Sequence, residues 1–433
     1  MFARTIVKYL IRLVADLGLV GPFAAVCAYK TRRVTAGLVD EDAVRILALS
    51  SERFIADLRA LEATGGFEVY AFPQYWQYAG LALHSLSDGR RQDRFLERFF
   101  RAYRHRIAFD MVVGTSLWYK QDIPWGSAAQ RSGTPYVVLH KECFKPEPLQ
   151  AQSAVQKALK FGPFMGERLL VHNEPIAAAL IGSNYVPRRQ VDVCGIMRMD
   201  DFVKRAQSSD ASIALRRKRS LVTYFSFALG LGLDDRGVDP FPKNPRLGWY
   251  DLFCESHLEF AKLALRRPDI DFVIKTKWSG QWTGLINDTL RREGIEPDSV
   301  SNLTIQSTGN AHNLIFESLV ICSFSSTTIL EAALAGKPVV IPHFGEVGKE
   351  GYLGRVKLLA NYNLFDVACS PNEFGQLIEE RLYKPDIVSN IHDERLKLFE
   401  RWVSLVDGSA LFRYVAALND TARRGVSSRS HSL

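Results

Sequence analysis

The sequence has few of the features that mark metal-binding, disulfide-linked or membrane-spanning proteins. Its 433 residues include only six cysteines, none in a CxxC pair, and the nine histidines form no HExxH or HxH pattern. We therefore expect reduced, mostly buried thiols and no structural metal, as is typical of a cytoplasmic protein. There is also no uninterrupted apolar run of about 20 residues, the length that a membrane-spanning helix needs.

Composition narrows the class further. Apolar residues make up 47% and charged residues 24% of the chain, which is typical of a globular protein, and the length suits two domains. The formal net charge of +8 favours anionic partners. Because the sequence has no RGG tract, no RNP-like aromatic strand and no zinc-finger spacing, we do not expect nucleic acid among them.

Residues 1–36 form a basic N-terminal segment with an apolar centre, LVADLGLVGPFAAVCAY. Asp16, Gly18, Gly21 and Pro22 interrupt that centre, so it does not predict a membrane span. Two interpretations stay open: a helix packed on the first domain, or a basic amphipathic helix lying peripherally on the inner membrane face. A signal peptide is a third and weaker alternative.

Strands alternate with helices from about residue 40, which predicts an α/β protein with parallel sheets. The pattern stops at a polar stretch, residues 206–218, which we interpret as a linker between two Rossmann-like domains, 37–205 and 219–394. We expect a cleft between these domains, with a C-terminal helix (395–420) that returns to the first domain. Residues 421–433 are small, polar and basic, which predicts a disordered tail.

The strongest chemical signal is the segment LVICSFSSTTILEAALAGKPVVIP, residues 319–342. A buried strand ends in a run of hydroxyl side chains, and a helix carrying Glu331 begins at once. Hydroxyls and unpaired N–H groups at such a junction predict a phosphate site. The alternative is an ordinary helix cap with Glu331 as its partner, but a cap needs one hydroxyl and this turn has several.

This segment resembles the donor-site motif of GT-B glycosyltransferases, and it is similar to that of non-hydrolysing sugar-nucleotide 2-epimerases and capsule-assembly transferases. The resemblance implies that Ser325, Ser326 and Thr327 hold donor phosphate and that Glu331 contacts the ribose or sugar. VDVCGIMRMDDF (191–202) resembles the V-x-G-x-P-R-x-D element of bacterial surface-carbohydrate enzymes, with Met197 in place of proline. YVVLHKECF (136–144) resembles their hKE strand end.

Two further pairs are predicted to bind the donor. Lys275 and Lys277 follow a predicted strand, where ligands of parallel sheets bind, and their charges suit a diphosphate. The alternative is that both lysines are simply solvated. The sequence Lys-Thr-Lys-Trp also lacks the His-Pro that acidic-sugar capsule transferases often have at this point. Gly230 and Gly232 allow the backbone to approach a ligand closely, or simply form a tight turn.

Glu142 is the first candidate for the base that deprotonates an acceptor hydroxyl, and His140 is the second. Both follow a buried strand of the first domain, so they should face the cleft. The alternative is that Lys141 and Glu142 form a surface ion pair without a catalytic role.

These observations favour a metal-independent, cofactor-free glycosyltransferase of bacterial surface or capsular polysaccharide biosynthesis. Its partners would be a nucleotide-sugar donor and a lipid-linked or growing glycan acceptor. A 2-epimerase, a polyol-phosphate transferase of the same fold, and a non-catalytic scaffold of an assembly complex remain alternatives.

Overall fold

The computed structural model describes residues 13–35, 39–79, 89–208, 219–233 and 238–430. They divide into two units. The first comprises the chain up to Cys143, residues 154–200 and the chain from Asp407 onward, and the second comprises residues 144–153 and 201–406. The boundary after Asp200 therefore precedes the predicted linker, of which residues 209–218 lie outside the described part. The first twelve residues of the predicted basic segment lie outside it as well.

The first unit is built around a seven-stranded sheet of order β1-β3-β2-β4-β5-β6-β7. All neighbouring strands are parallel except β1, which pairs with β3 in antiparallel fashion. The central strands are buried on both faces, which explains their nearly continuous apolar sequences. The strands are β1 (Arg32–Arg33), β2 (Val44–Ala48), β3 (Phe67–Ala71), β4 (Met111–Gly114), β5 (Tyr136–Leu139), β6 (Arg168–Val171) and β7 (Val191–Val193).

Helices cover both faces of this sheet. One face packs against an aromatic cluster that includes Phe99, Tyr103 and Trp125, with the rings of Phe99 and Tyr103 stacked at 5.1 Å. The helices are α1 (Val20–Lys30), α2 (Ile55–Glu62), α3 (Gln74–Ala79), α4 (Gly89–Arg104), α5 (Ile123–Arg131), α6 (Pro148–Leu159) and α7 (Glu174–Gly182). Of α6, residues 154–159 belong to this unit.

Helix α1 is apolar on more than one side. It buries Phe23 and Cys27 against α4, where the Phe23 and Phe99 rings lie 5.3 Å apart. Its other side leaves Val26 and Tyr29 44% and 73% exposed. The interpretation of this segment as a helix packed on the first domain therefore describes one face of α1 only. No helix in the described ranges combines the length and hydropathy needed to cross a bilayer.

The second unit contains a six-stranded, fully parallel sheet of order β10-β9-β8-β11-β12-β13. Its strands are β8 (Leu221–Phe225), β9 (Asp271–Lys275), β10 (Leu303–Gln306), β11 (Val320–Ser323), β12 (Val339–Pro342) and β13 (Asp366–Ala368). Its helices are α8 (Asp200–Gln207), which begins at the boundary residue, α9 (Tyr250–Arg266), α10 (Gln281–Arg292), α11 (Ala311–Glu317), α12 (Thr328–Leu334), α13 (Pro371–Tyr383) and α14 (Ser389–Trp402).

The last helix, α15 (Ala410–Ser430), belongs to the first unit, as the sequence predicts. Tyr414 and Leu418 pack in that unit's core. The predicted single helix over 395–420 is instead divided between α14, which ends at Trp402, and α15, which begins at Ala410. Gly408 has a left-handed φ of 61° in the segment between them. The prediction of a disordered tail is wrong for residues 421–430, which continue α15, and residues 431–433 lie outside the described part.

Candidate functional site

The carboxyl edge of the second unit's sheet is the first place to look for a ligand. β9 and β10 extend this sheet on one side of β8, whereas β11, β12 and β13 extend it on the other. The connections after β8 and β11 therefore leave in opposite directions, and ligands of open α/β sheets bind at such a reversal. Ser226 follows β8 at this point, and residues 324–327 form the turn after β11.

Hydroxyl groups hold the turn after β11 in shape. Ser325 has a left-handed φ of 51°, and its Oγ accepts a hydrogen bond from the Lys357 backbone N–H at 3.1 Å. The side-chain oxygens of Ser323 and Thr328 lie 2.8 Å apart, and Ser326 Oγ accepts from the Thr328 N–H at 3.3 Å. Because Ser325 is only 1% exposed, its hydroxyl stabilises the turn rather than presenting itself to solvent.

Ser326 and Thr327 are half-buried and form the accessible part of the turn. Neither backbone N–H has a hydrogen-bond acceptor within the described ranges. Unpaired N–H groups beside a left-handed residue form the kind of concave donor set that binds anions. Together with the two hydroxyls, they provide several donors to a phosphate group.

Glu331 lies one turn into α12 and is 9% exposed. Its Oε2 lies 3.8 Å from Nε2 of His312, at the start of α11. The His312 ring in turn packs against Phe202 with the ring centroids 4.4 Å apart. A protonated His312 would form an ion pair with Glu331, so the carboxylate has a partner inside its own unit.

The two predicted donor lysines have different surroundings. Lys275 is 8% exposed, and its Nζ donates hydrogen bonds of 2.8 Å to the carbonyl oxygens of Thr276 and Ser307. Burial lowers the pKa of Lys275. Lys277 is exposed, with its Nζ 5.3 Å from the centre of the Trp278 ring. Of the two, only Lys277 has its ammonium group in solvent.

The two predicted donor glycines serve the packing of their own loop. A Cβ atom at Gly230 would lie 1.9 Å from the Asp239 carbonyl oxygen, so this position requires glycine. Gly232 has a left-handed φ of 74°, and a Cβ there would lie 3.2 Å from the carbonyl oxygen of Arg355. The close approach expected from the sequence therefore exists, but it is an approach to backbone of the same unit.

Sequence reasoning missed a chain of hydrogen bonds beside Ser226. His257 is fully buried on α9, and its Nδ1 lies 2.6 Å from the Phe253 carbonyl oxygen, which only accepts. Nδ1 therefore carries the proton, and Nε2 accepts from Ser226 Oγ at 2.8 Å. Trp282 Nε1–H donates to the same Oγ at 2.8 Å. Burial lowers the pKa of His257 to about 4, so the ring is neutral at pH 7.

In the first unit the strand order reverses between β2 and β4, and Asp122 is buried in the loop that follows β4. Its Oδ1 accepts from Ser50 Oγ and Gln77 Nε2, both at 2.6 Å. Its Oδ2 accepts from the N–H and the hydroxyl of Thr115 at 3.2 and 3.1 Å. Burial raises the pKa of Asp122, and these hydrogen bonds oppose the shift. The network joins the two loops that follow β2 and β4.

Of the two candidate bases, Glu142 is the more accessible. It is half-buried, and its Oε1 accepts a hydrogen bond of 2.7 Å from the Tyr119 hydroxyl. The adjacent Lys141 donates from Nζ to the Arg53 carbonyl oxygen at 3.1 Å. His140 is completely buried, with its ring edge-to-face against Trp118 at 4.5 Å.

The element that resembles V-x-G-x-P-R-x-D connects other elements of the first unit through two of its side chains. Arg198 Nη1 lies 3.2 Å from Oδ2 of the buried Asp57 on α2. Asp200 accepts hydrogen bonds from the N–H groups of Ala410 and Leu411, at 2.9 and 2.8 Å, and so caps α15. These two side chains thus tie α2 and the last helix to the end of the sheet.

Within the described ranges, no group of three or more His, Cys, Asp or Glu side chains is arranged to hold a metal ion. No protein-family model matches the sequence, and no curated protein does.

Solved structures match over most of the chain. The wall teichoic acid polymerase TagF, soaked with CDPG, has a TM-score of 0.53 at 9% identity, covering 98% of this chain and 99% of TagF.

A UDP-N-acetylglucosamine 2-epimerase matches with a TM-score of 0.52 at 12% identity, over 88% of this chain and 96% of its own. The chain has the GT-B fold. This fold accounts for the two parallel sheets and for the return of α15 to the first unit. The similarity to these structures confirms the resemblance predicted from sequence at the level of the fold. At such low identities it does not assign a role to any residue.

Proposed function

We propose that the protein is a glycosyltransferase that takes its sugar from a nucleotide donor held on the second unit. One observation carries the proposal. The turn after β11 presents the hydroxyls and unpaired N–H groups of Ser326 and Thr327 at the point where the strand order reverses, between β8 and β11. Such a donor set suits the oxygens of a diphosphate. Lys277 adds an exposed positive charge after β9.

In the proposed reaction, an acceptor hydroxyl attacks the anomeric carbon of the donor sugar. The bond between that carbon and the phosphate oxygen breaks, and the nucleoside diphosphate leaves with the electron pair. Glu142 takes the proton of the acceptor hydroxyl, because it is the half-buried carboxylate at the end of β5. His140 is too deeply buried to share this role. Glu331, paired with His312, contacts the ribose or sugar of the donor.

The polymer being built is proposed to be a bacterial surface polysaccharide, as the resemblance of the hKE and R-x-D elements implies. A 2-epimerase or polyol-phosphate transferase is the second candidate, since the solved structures of similar fold include an epimerase and TagF. The reactions are separable. An epimerase converts a sugar nucleotide without any acceptor, whereas a glycosyltransferase releases nucleoside diphosphate in proportion to the acceptor supplied, and a polyol-phosphate transferase releases a nucleoside monophosphate.

The double variant Ser326→Ala/Thr327→Val tests the donor site. In a melting-temperature panel of UDP, CDP, GDP and dTDP, one nucleotide at about 100 times its Kd should stabilise the wild type by about 2.7 kcal/mol. The variant should bind it at least tenfold more weakly, because each lost hydrogen bond to a charged oxygen is worth about 1.5–3 kcal/mol.

The matched control is Thr304→Val, which removes an exposed hydroxyl on β10 of the same sheet. It should bind the nucleotide like the wild type. Equal affinities in all three proteins would place the nucleotide elsewhere. A folded wild type that responds to none of the four nucleotides would count against the proposed function itself.

We further propose that the first unit docks peripherally on an anionic membrane. Leu13, Leu17 and Tyr29 are 53%, 61% and 73% exposed on and before α1. Arg94, Arg98 and Arg101 form an exposed basic row on α4, the helix against which α1 packs. Exposed apolar side chains on one helix and exposed arginines on the helix packed against it suit the interface of a bilayer that contains acidic lipids.

The double variant Leu17→Glu/Tyr29→Glu should co-sediment with phosphatidylglycerol-containing vesicles at least tenfold less than the wild type. The reason is that each substitution removes apolar area from the bilayer and adds a charge that the acidic lipids repel. Tyr383→Glu is the control, since Tyr383 is 74% exposed in the second unit. If the wild type does not sediment with acidic vesicles at low salt, the membrane proposal is wrong.

A further inference from the structure

A pocket of about 160 Å³ lies at the amino edge of the second unit's sheet, beside the start of β13. It is therefore at the opposite edge from the turn after β11, since β11 and β13 both run parallel to β12. Its walls come from the segment before β13, from α13, from α14 and from the loop between these two helices. The lining residues are Asn363, Leu364, Phe365, Asp366, Arg381, Asp386, Ile387, Val388, Ile391 and Arg395.

Arg395 is the unusual member of this lining because it is 2% exposed and has no carboxylate within 4 Å in the described part of the chain. Its Nε donates to the Leu364 carbonyl oxygen at 2.8 Å, and its Nη1 donates to that of Lys337 at 3.3 Å. The guanidinium carbon lies 4.9 Å from the centre of the Phe365 ring. Nη2 donates to no acceptor among the described residues.

The other charges of the lining compensate this cation only in part. Asp366 attracts it, but Arg381 repels it and also binds the Asp366 carboxylate, donating from Nε and Nη2 to its two oxygens at 2.7 and 2.8 Å. Asp386 is exposed on the rim, where water screens its charge. Burial lowers the pKa of Arg395 to about 10, so the guanidinium is still charged at pH 7.

Burying an unpaired cation costs several kcal/mol unless a counter-charge or water restores its hydration. Here the hydrogen bonds from Nε and Nη1 fix the plane of the guanidinium. Because Arg395 lines the pocket, its Nη2 is left to bind a ligand there. Planar N–H groups of arginine match the oxygens of phosphate and carboxylate. The apolar side chains of Ile387, Val388 and Ile391 complete the wall with surface that suits carbon atoms.

We propose that this pocket is a binding site for a small oxyanion, a phosphate or carboxylate group carried on a small molecule, with Arg395 as its counter-charge. The site is independent of the proposed nucleotide site, because it shares no residue with the turn after β11. A ligand bound here would contact the segments that lead into β13 and α14.

The probes are inorganic phosphate and acetate, titrated into the full chain at constant ionic strength and followed by calorimetry. The wild type should bind at least one of them. Val388→Trp should weaken binding at least tenfold by filling the pocket mouth, and Val388 is 69% exposed, so folding should be unaffected. Arg395→Met should weaken it to a similar extent by removing the charge while keeping most of the side-chain volume.

The variant Ser326→Ala/Thr327→Val separates this site from the proposed nucleotide site, and it should retain the binding of the probe. Loss of binding in that variant, with retention in Val388→Trp, would assign the anion to the turn and overturn the proposal. Absence of binding to the wild type at tens of millimolar of either probe would overturn it as well. If Arg395→Met fails to fold, Val388→Trp still decides between these outcomes.

Discussion

Replacing Asp122 with alanine should lower the free energy of unfolding by about 3–5 kcal/mol. The Asp122 carboxylate accepts four hydrogen bonds from Ser50, Gln77 and Thr115, in a site from which water is excluded. Alanine removes every acceptor at once. Each buried donor left without a partner costs about 1–3 kcal/mol, and the cavity adds to that cost.

Urea unfolding of the purified protein measures this effect. Asp122→Asn should lose less than Asp122→Ala, because the amide keeps one acceptor for the Ser50 or Thr115 hydroxyl. Asp269→Ala is the control, since Asp269 is an exposed carboxylate that pairs with Arg267. Its unfolding curve should stay close to that of the wild type. A similar small loss in Asp122→Ala would show that the network contributes little to the stability of the first unit.

Acidification should weaken the second unit through His257. The folded-state pKa of this ring is lowered from 6.5 to about 4 by burial. Between these two values the unfolded chain binds a proton that the folded protein excludes, so stability falls as the pH falls. The contribution is fully present above pH 6.5 and is lost progressively down to about pH 4. The total loss from this ring should be about 3 kcal/mol.

The variant His257→Gln isolates that contribution. Its free energy of unfolding should fall less than that of the wild type between pH 7 and pH 4, even if it is less stable at pH 7. His172, whose pKa burial also lowers, stays in both proteins and cancels from the comparison. The control His105→Gln removes an exposed imidazole. If the curves of His257→Gln and wild type run parallel over this range, His257 does not titrate as proposed.

The architecture could be predicted from sequence because it depends on local patterns. Runs such as MVVG of β4 and VICS of β11 are almost entirely apolar and are buried along their whole length, as expected for strands covered on both faces. Turn residues separate such runs from the helices. The position of the hydroxyl turn follows from the same pattern, since it occupies the chain between β11 and α12.

The orientation of individual side chains could not be predicted in this way. The pattern places Lys275 at a strand end, but it does not reveal that two backbone carbonyls capture its ammonium group. His257 and Trp282 lie 31 and 56 residues from Ser226, so no local spacing connects them. Arg395 lies on a helix whose other charges are largely exposed, and only the packing of α14 against residues 364 and 337 buries it.

The capping of α15 by Asp200 has a consequence for biosynthesis. The first unit needs Tyr414 and Leu418 to complete its core, yet these residues leave the ribosome after the whole of the second unit. One apolar face of the first unit's sheet therefore lacks the side chains of α15 while some two hundred intervening residues are translated. Nascent chains of this protein would expose that face to chaperones, and a premature stop before Ala410 would leave it exposed permanently.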